Sequence, residues 1–219
     1  MKMVKLTSPQ SYRIVMFVLK NPVTSQANIA RSTRVSATHV NYIVTYLKDL
    51  GLVSQHGMEN LKLRDPYRLL DALSFERPLK KLMVGEVRAE VPELSNVERL
   101  VKNAEVHRGH QYAFTGYSAI AKYIEYYITY SIVHVYSVAP EELLDNFRFQ
   151  GSGPSIRVLK ADSPLILENA QIRQDISVVE PMQTVVDLFA LGGQGRDGAI
   201  KLYEAIKSGT ISNSRRIVQ

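Results

Sequence analysis

The stretch from Thr24 to Val53, TSQANIARSTRVSATHVNYIVTYLKDLGLV, restricts the folds open to this chain more than any other. Its spacing predicts two helices set across a tight turn. The first, about Ser25 to Ser32, carries apolar residues at Ala27, Ile29 and Ala30. Thr33-Arg34-Val35 forms the turn, and Ser36 offers its hydroxyl to a free backbone N–H at the start of the second helix. That helix runs to about Leu50. Val40, Ile43, Val44, Leu47 and Leu50 fall at the helical period on a single stripe, which is expected to face inward. Ala37, Thr38, His39, Asn41, Tyr42 and Thr45 are left outside, clustered in the first two turns. Gly51 ends the helix, where a positive φ is needed.

Past Gly51, Leu52 to Gln55 and Leu61 to Leu63 read as short strands joined by His56-Gly57-Met58-Glu59-Asn60. With Ile29-Ala30, the capping Ser36, Val40, Leu47 and the Leu50-Gly51-Leu52-Val53 ending, this segment resembles the helix-turn-helix and wing of a winged-helix DNA-binding domain. The resemblance implies double-stranded DNA as partner. Thr38, His39, Asn41 and Tyr42 stand where a recognition helix reads base edges in the major groove. Arg31, Arg34, Ser36, Thr45, Lys62 and Arg64 are the candidates for phosphate contact, and His56, Gly57 and Asn60 form the tip of the wing. A helical pair and β-hairpin used only for packing or protein contacts remains the alternative.

Charge divides the chain unevenly. Residues 1–80 hold 12 Lys and Arg against 5 Asp and Glu, a net +7, whereas residues 81–219 hold 15 against 16, a net −1. A basic module beside a neutral one predicts that nucleic acid is met by the first and that the second does something else. A length of 219 residues accommodates two domains. The expected division is a winged helix at 1–65, a connector helix at 66–80 and a partner-binding domain at 81–219. No apolar run approaches the roughly 20 residues that span a bilayer, and the first residues lead into a polar Ser-Pro-Gln rather than a signal-peptide core. A cytoplasmic protein without membrane association is expected. The lack of cysteine excludes disulfides and thiolate chemistry.

Taken in order, Ser8-Pro9 starts a helix that runs through Ile14, Val15, Phe17, Val18 and Leu19 to Asn21-Pro22, apolar enough to be buried beneath the helix-turn-helix. Asp65 caps the connector, which carries Leu69, Leu70 and Leu73 and stops at Arg77-Pro78; Arg68 and Arg77 read as solvated charges on its face. From Leu79 the segments are shorter and mixed. Strands are predicted at Leu82–Val87, Gln111–Thr115, Ser131–Ser137, Phe147–Phe149, Ile156–Lys160 and Ile176–Val179. Helices are predicted at Asn96–Val106, Ser118–Tyr127, Glu141–Asn146, from Pro181, and at Asp197–Ile206, before a polar tail from Ser208. The fold class is therefore α+β: a winged helix-turn-helix domain followed by a mixed α/β domain with a small sheet.

Two stretches of the second half carry a further resemblance. Tyr112-Ala113-Phe114-Thr115-Gly116-Tyr117-Ser118-Ala119 and Val178-Val179-Glu180-Pro181-Met182-Gln183-Thr184-Val185-Val186-Asp187-Leu188 are similar to the C-terminal domain of AbiEi-type antitoxins, and the order of both after a winged helix agrees with that family. Membership would imply an autorepressor whose second domain opposes a nucleotidyltransferase-type toxin; no cofactor is expected. A solitary regulator, a homodimer-forming domain and a protein-interaction module are the alternatives.

An enzyme reading meets a specific obstacle. Gly116-Tyr117-Ser118 before a helix and a strand resembles the opening of a nucleotidyltransferase, but such enzymes place two carboxylates on the next strand to hold magnesium. That strand, Ser131-Ile132-Val133-His134-Val135-Tyr136, has no acid. Gly193-Gln194-Gly195-Arg196-Asp197-Gly198 satisfies G-x-G-x-x-G, yet follows a predicted helix instead of a strand, so its glycines read as a helix end and turn. Glu105, His107 and His110 have metal-ligand chemistry but no fourth ligand, and read as a solvated loop. Tyr123, Tyr127 and Tyr130 share one face of the helix predicted there, for packing or for a protein partner.

Overall fold

The computed structural model describes residues 4–147 and 151–211. The predicted strand Phe147–Phe149 runs into residues outside that set, as does the tail beyond Ile211. The chain forms two compact units, Met1–Arg77 and Pro78–Gln219.

The first unit is built on α1 (Pro9–Lys20), which buries Ile14, Val15, Val18 and Leu19 nearly completely. A helix this apolar has no solvent face to spare, so other elements must cover it. Two do so directly: α2 (Gln26–Thr33) and α3 (Ala37–Asp49) both pack on α1. A three-stranded antiparallel sheet closes the unit, ordered β1 (Val23–Ser25), β3 (Asn60–Leu63), β2 (Val53–His56). β1 is absent from the sequence expectation. Its three residues are too few for alternation to register, and only its pairing with Asn60–Lys62 defines it. α4 (Pro66–Glu76), expected as a connector, contributes Leu69, Leu70 and Leu73 to this unit's core. Its end is tied to the start of α1, where Thr7 Oγ1 donates to Glu76 at 3.3 Å. Arg77 is not solvated as predicted: it is 3% exposed, with its guanidinium 5.5 Å from the Tyr12 ring.

The second unit is organised by one mixed sheet of six strands, larger than the small sheet expected. The strands are β4 (Met83–Arg88), β5 (Tyr112–Thr115), β6 (Ile132–Ser137), β7 (Ser155–Lys160), β8 (Gln171–Arg173) and β9 (Ile176–Val178), in the order β4-β7-β6-β5-β9-β8. The β6–β7 and β5–β9 pairs are parallel and the others antiparallel. Alternate side chains serve two cores. Tyr112, Phe114, Val133, Val135, Ile156 and Val158 pack on one face with Val97 and Val101 of α5 (Leu94–His107) and Leu143 of α7 (Pro140–Asn146). Ala113, Tyr136 and Leu159 line the other with Leu79, the short helix α8 (Leu165–Glu168) and Leu191 at the end of α9 (Pro181–Leu191). With both faces covered, the central strands are buried along their length.

One predicted helix is much shorter than expected. α6 spans only Tyr117–Ile120, not Ser118–Tyr127. The tyrosines beyond it are used for long-range bonds: Tyr123 donates to the Val179 carbonyl at 2.6 Å and Tyr126 to the Gln194 carbonyl at 2.8 Å. In a segment rich in aromatic and β-branched residues, whose helix propensity is weak, such contacts decide the backbone. Conversely, α10 (Gly193–Lys207) starts before the expected Asp197. Gly195 lies inside it, where an added Cβ would sit 2.7 Å from the Leu188 carbonyl oxygen. The G-x-G-x-x-G run thus permits close helix contact and holds no phosphate loop.

Candidate functional site

In the first unit the site is assembled from caps outward. Ser25 Oγ accepts the Asn28 N–H at 3.1 Å to start α2, and Thr33 Oγ1 donates back to the Ile29 carbonyl at 2.7 Å near its end. Arg34 then takes a left-handed conformation, φ 55°, which reverses the chain in one residue. This geometry is uncommon for a side chain larger than Asn. Val35, 5% exposed, plugs the turn into the core, and Ser36 Oγ accepts the His39 N–H at 3.3 Å to begin α3.

The inner stripe of α3 is Val40, Ile43, Val44 and Leu47, each at most 1% exposed. Leu50 does not join it. As the C-cap it turns away and is 39% exposed, and of the apolar residues on α2 Ala27 faces solvent while Ile29 is buried. On the outer face Thr38, Asn41, Tyr42 and Thr45 are exposed together, with Ser36, Arg31 and Arg34 beside them. His39 is placed differently. It is half-buried, its Nε2 lies 3.3 Å from Ser11 Oγ, and Ser8 Oγ donates to that same hydroxyl at 2.8 Å. His39 therefore sits at the seam of α1 and α3, with its ring 6.3 Å from that of Tyr42.

The hairpin of β2 and β3 projects His56, Gly57, Met58 and Asn60 into solvent, with Gly57 at φ +67°. Two residues not singled out by sequence hold it. Gln55 Nε2 donates to the Gly57 and Met58 carbonyls at 3.2 and 3.1 Å, and Lys48 Nζ of α3 donates to Gln55 Oε1 at 3.2 Å. Their only advance signals are polarity at a strand end for Gln55 and a cation in the last turn of α3 for Lys48. Lys62 on β3 and Arg64 just beyond it are exposed, and among the described residues neither their side chains nor that of Arg34 has an ion-pair or hydrogen-bond partner. Among the described residues the Arg31 side chain hydrogen-bonds Asn28 Oδ1 alone, donating Nη2 at 3.3 Å. The result is a face of small polar groups flanked by cations whose charge is not neutralised, suited to a polyanion.

The second unit keeps its polar chemistry inside. Asp187, fully buried on α9, accepts from Thr115 Oγ1 at 2.7 Å, Tyr136 Oη at 3.1 Å and Gln183 Nε2 at 2.9 Å. A buried carboxylate is tolerable only with such a donor set. The two stretches that carry the second family resemblance thus meet, Thr115 from one and Asp187 from the other, at a point that pins α9 to β5 and β6. Glu105 is likewise buried and accepts from Ser137 Oγ at 3.1 Å. Burial raises its carboxyl above the usual pKa, against the opposing Ser137 bond. The expected solvated loop is not found: Glu105 and His107 lie on α5, Glu105 is buried with His110 3.8 Å away, and only His107 points to solvent. Among the described residues no group of three or more His, Asp or Glu is placed to hold a metal ion, and no helix is long and apolar enough to cross a membrane.

No protein-family model, curated protein or solved structure matches this chain.

Proposed function

We propose that the first unit is a winged helix-turn-helix that binds double-stranded DNA and that the protein is a cytoplasmic transcriptional repressor acting by occupancy. The observation that carries this reading is the outer face of α3, where Thr38, Asn41 and Tyr42 are exposed between the unpaired cations Arg34, Lys62 and Arg64. Thr38, Asn41 and Tyr42 read base edges in the major groove, and the cations hold phosphates beside the helix and under the wing. His39, bonded toward Ser11, contributes by orienting the Tyr42 ring as well as by any base contact of its own.

The test is fluorescence-anisotropy binding to DNA from upstream of the protein's own gene against scrambled DNA at two salt concentrations. Selective binding is expected, with log Kd against log salt rising at a slope of about 4 if Arg31, Arg34, Lys62 and Arg64 each displace a counterion. Equal, weak binding to both DNAs, or none, overturns the repressor reading. A narrower reading, that the second unit is an antitoxin domain opposing a nucleotidyltransferase-type toxin, is supported by the meeting of its two resemblance-bearing stretches at Thr115 and Asp187. Growth rescue, on co-expression, of cells carrying a neighbouring nucleotidyltransferase gene tests it.

A further inference from the structure

One face of the second unit's sheet carries a row of polar side chains that apolar packing does not require. Register places Glu86 of β4 opposite Arg157 of β7, Arg157 opposite His134 of β6, and His134 opposite Thr115 of β5. Thr115 is committed to Asp187. Arg157 and His134 instead open on a cavity of about 290 Å³ that also receives Lys80. Its remaining wall is apolar, with Leu79, Met83, Leu159 and Leu191 contributing. All of these residues belong to the second unit.

The polar groups of the cavity are unusually uncommitted. Arg157 donates its Nε to Glu86 at 2.8 Å, and its two terminal nitrogens have no partner among the described residues. Lys80 is exposed at the rim with no ion pair among the described residues. His134 is 3% exposed, and its Nδ1 is buried without a hydrogen-bond partner among the described residues. Burial, helped by the charge of Arg157, pushes its pKa down to about 4, so the ring is neutral at pH 7 and keeps one donor and one acceptor. A buried unsatisfied imidazole beside a half-free guanidinium costs stability with no packing return.

We propose that this cavity binds a compact organic acid, a carboxylate head on a short apolar body, with the head held by Arg157 and Lys80 beside His134. Charge selects the head. Glu86 cancels one of the two cations, leaving a net charge suited to a monoanion, and the planar fork of Arg157 matches a carboxylate. Volume and lining select the body, because about 290 Å³ lies at the small end of ligand cavities and its apolar wall rejects a second charged group. DNA binding by the first unit is not assumed.

Benzoate, benzyl alcohol and inorganic phosphate, titrated into the full chain while the His134 ring resonances are followed by NMR, test the assignment. Benzoate is expected to shift those resonances saturably, and benzyl alcohol, which keeps the body without the charge, to bind at least tenfold more weakly. Arg157→Gln should weaken benzoate at least tenfold and Lys80→Gln by a smaller factor; Lys80 is exposed, so its variant keeps the fold whatever Arg157→Gln does. Absence of a saturable shift with benzoate overturns the proposal, as does benzoate affinity unchanged in Lys80→Gln or in a folded Arg157→Gln. Phosphate binding in preference to benzoate overturns the carboxylate assignment.

Discussion

The two units treat polar residues in opposite ways. In the first, Thr38, Asn41, Tyr42, Arg34, Lys62 and Arg64 all stand in solvent on a scaffold whose interior is mostly aliphatic, with Ser11, Thr24 and Arg77 as its buried polar side chains among the described residues. In the second, Glu98, Glu105, Thr115, His134, Gln183 and Asp187 are buried among the strands and helices. Charge follows the same division, with the excess of +7 confined to residues 1–80 and a net −1 beyond. A surface that meets a polyanion works best with hydrated, unpaired cations that release counterions on contact, so nothing in it needs a buried partner. Buried polar groups serve a different end. They either fix one arrangement of the chain, as Asp187 does, or wait for a ligand, as the geometry around His134 suggests.

The sharpest way to break the comparison is to truncate side chains in each interior and on the exterior and follow both units by amide resonances. Asp187→Ala should cost the second unit roughly 3–5 kcal/mol, because Thr115, Tyr136 and Gln183 lose a charged acceptor together. Chemical denaturation should show that loss in resonances of residues 78–219; a midpoint unchanged from wild type would mean that the network is not structural. Next in size, Leu47→Ala opens a cavity under α3 and should lower the stability of the first unit by roughly 2–4 kcal/mol, read from the same experiment in residues 4–77.

Exterior changes should behave differently. Asn41→Ala is expected to leave stability within about 0.5 kcal/mol of wild type while removing roughly 1–3 kcal/mol of discrimination between the operator and scrambled DNA. A uniform loss on both DNAs would reassign Asn41 from base to phosphate contact. The smallest expected effect is Arg34→Gly, where relief of the left-handed backbone should raise stability by roughly 0.5–1 kcal/mol. The same variant should make the salt dependence of DNA binding shallower by about one unit. Stabilisation without a change in salt slope would show that Arg34 turns the chain but touches no phosphate.

These variants also separate what could be read in advance from what could not. The α3 region was legible because its signals are local: Ser36 and His39 are three residues apart, the Val40–Leu47 stripe repeats within one helix, and Gly51 stops it. Where local signals misled, a distant contact had intervened. The predicted helix through Tyr127 stops at Ile120 because Tyr123 and Tyr126 bond to Val179 and Gln194, and His39 turns toward Ser11 instead of standing free on α3.

The sequence by itself determined the class of each half, a basic helical pair with a hairpin followed by alternating strands and helices, since period, caps and charge act over a few residues. Only the tertiary structure decided the six-strand order, the union of Thr115 with Asp187 across 72 positions, and the placing of Arg157 beside His134. Strand order is set by which faces can be buried together, and a carboxylate or imidazole acquires its environment from neighbours that no local spacing specifies.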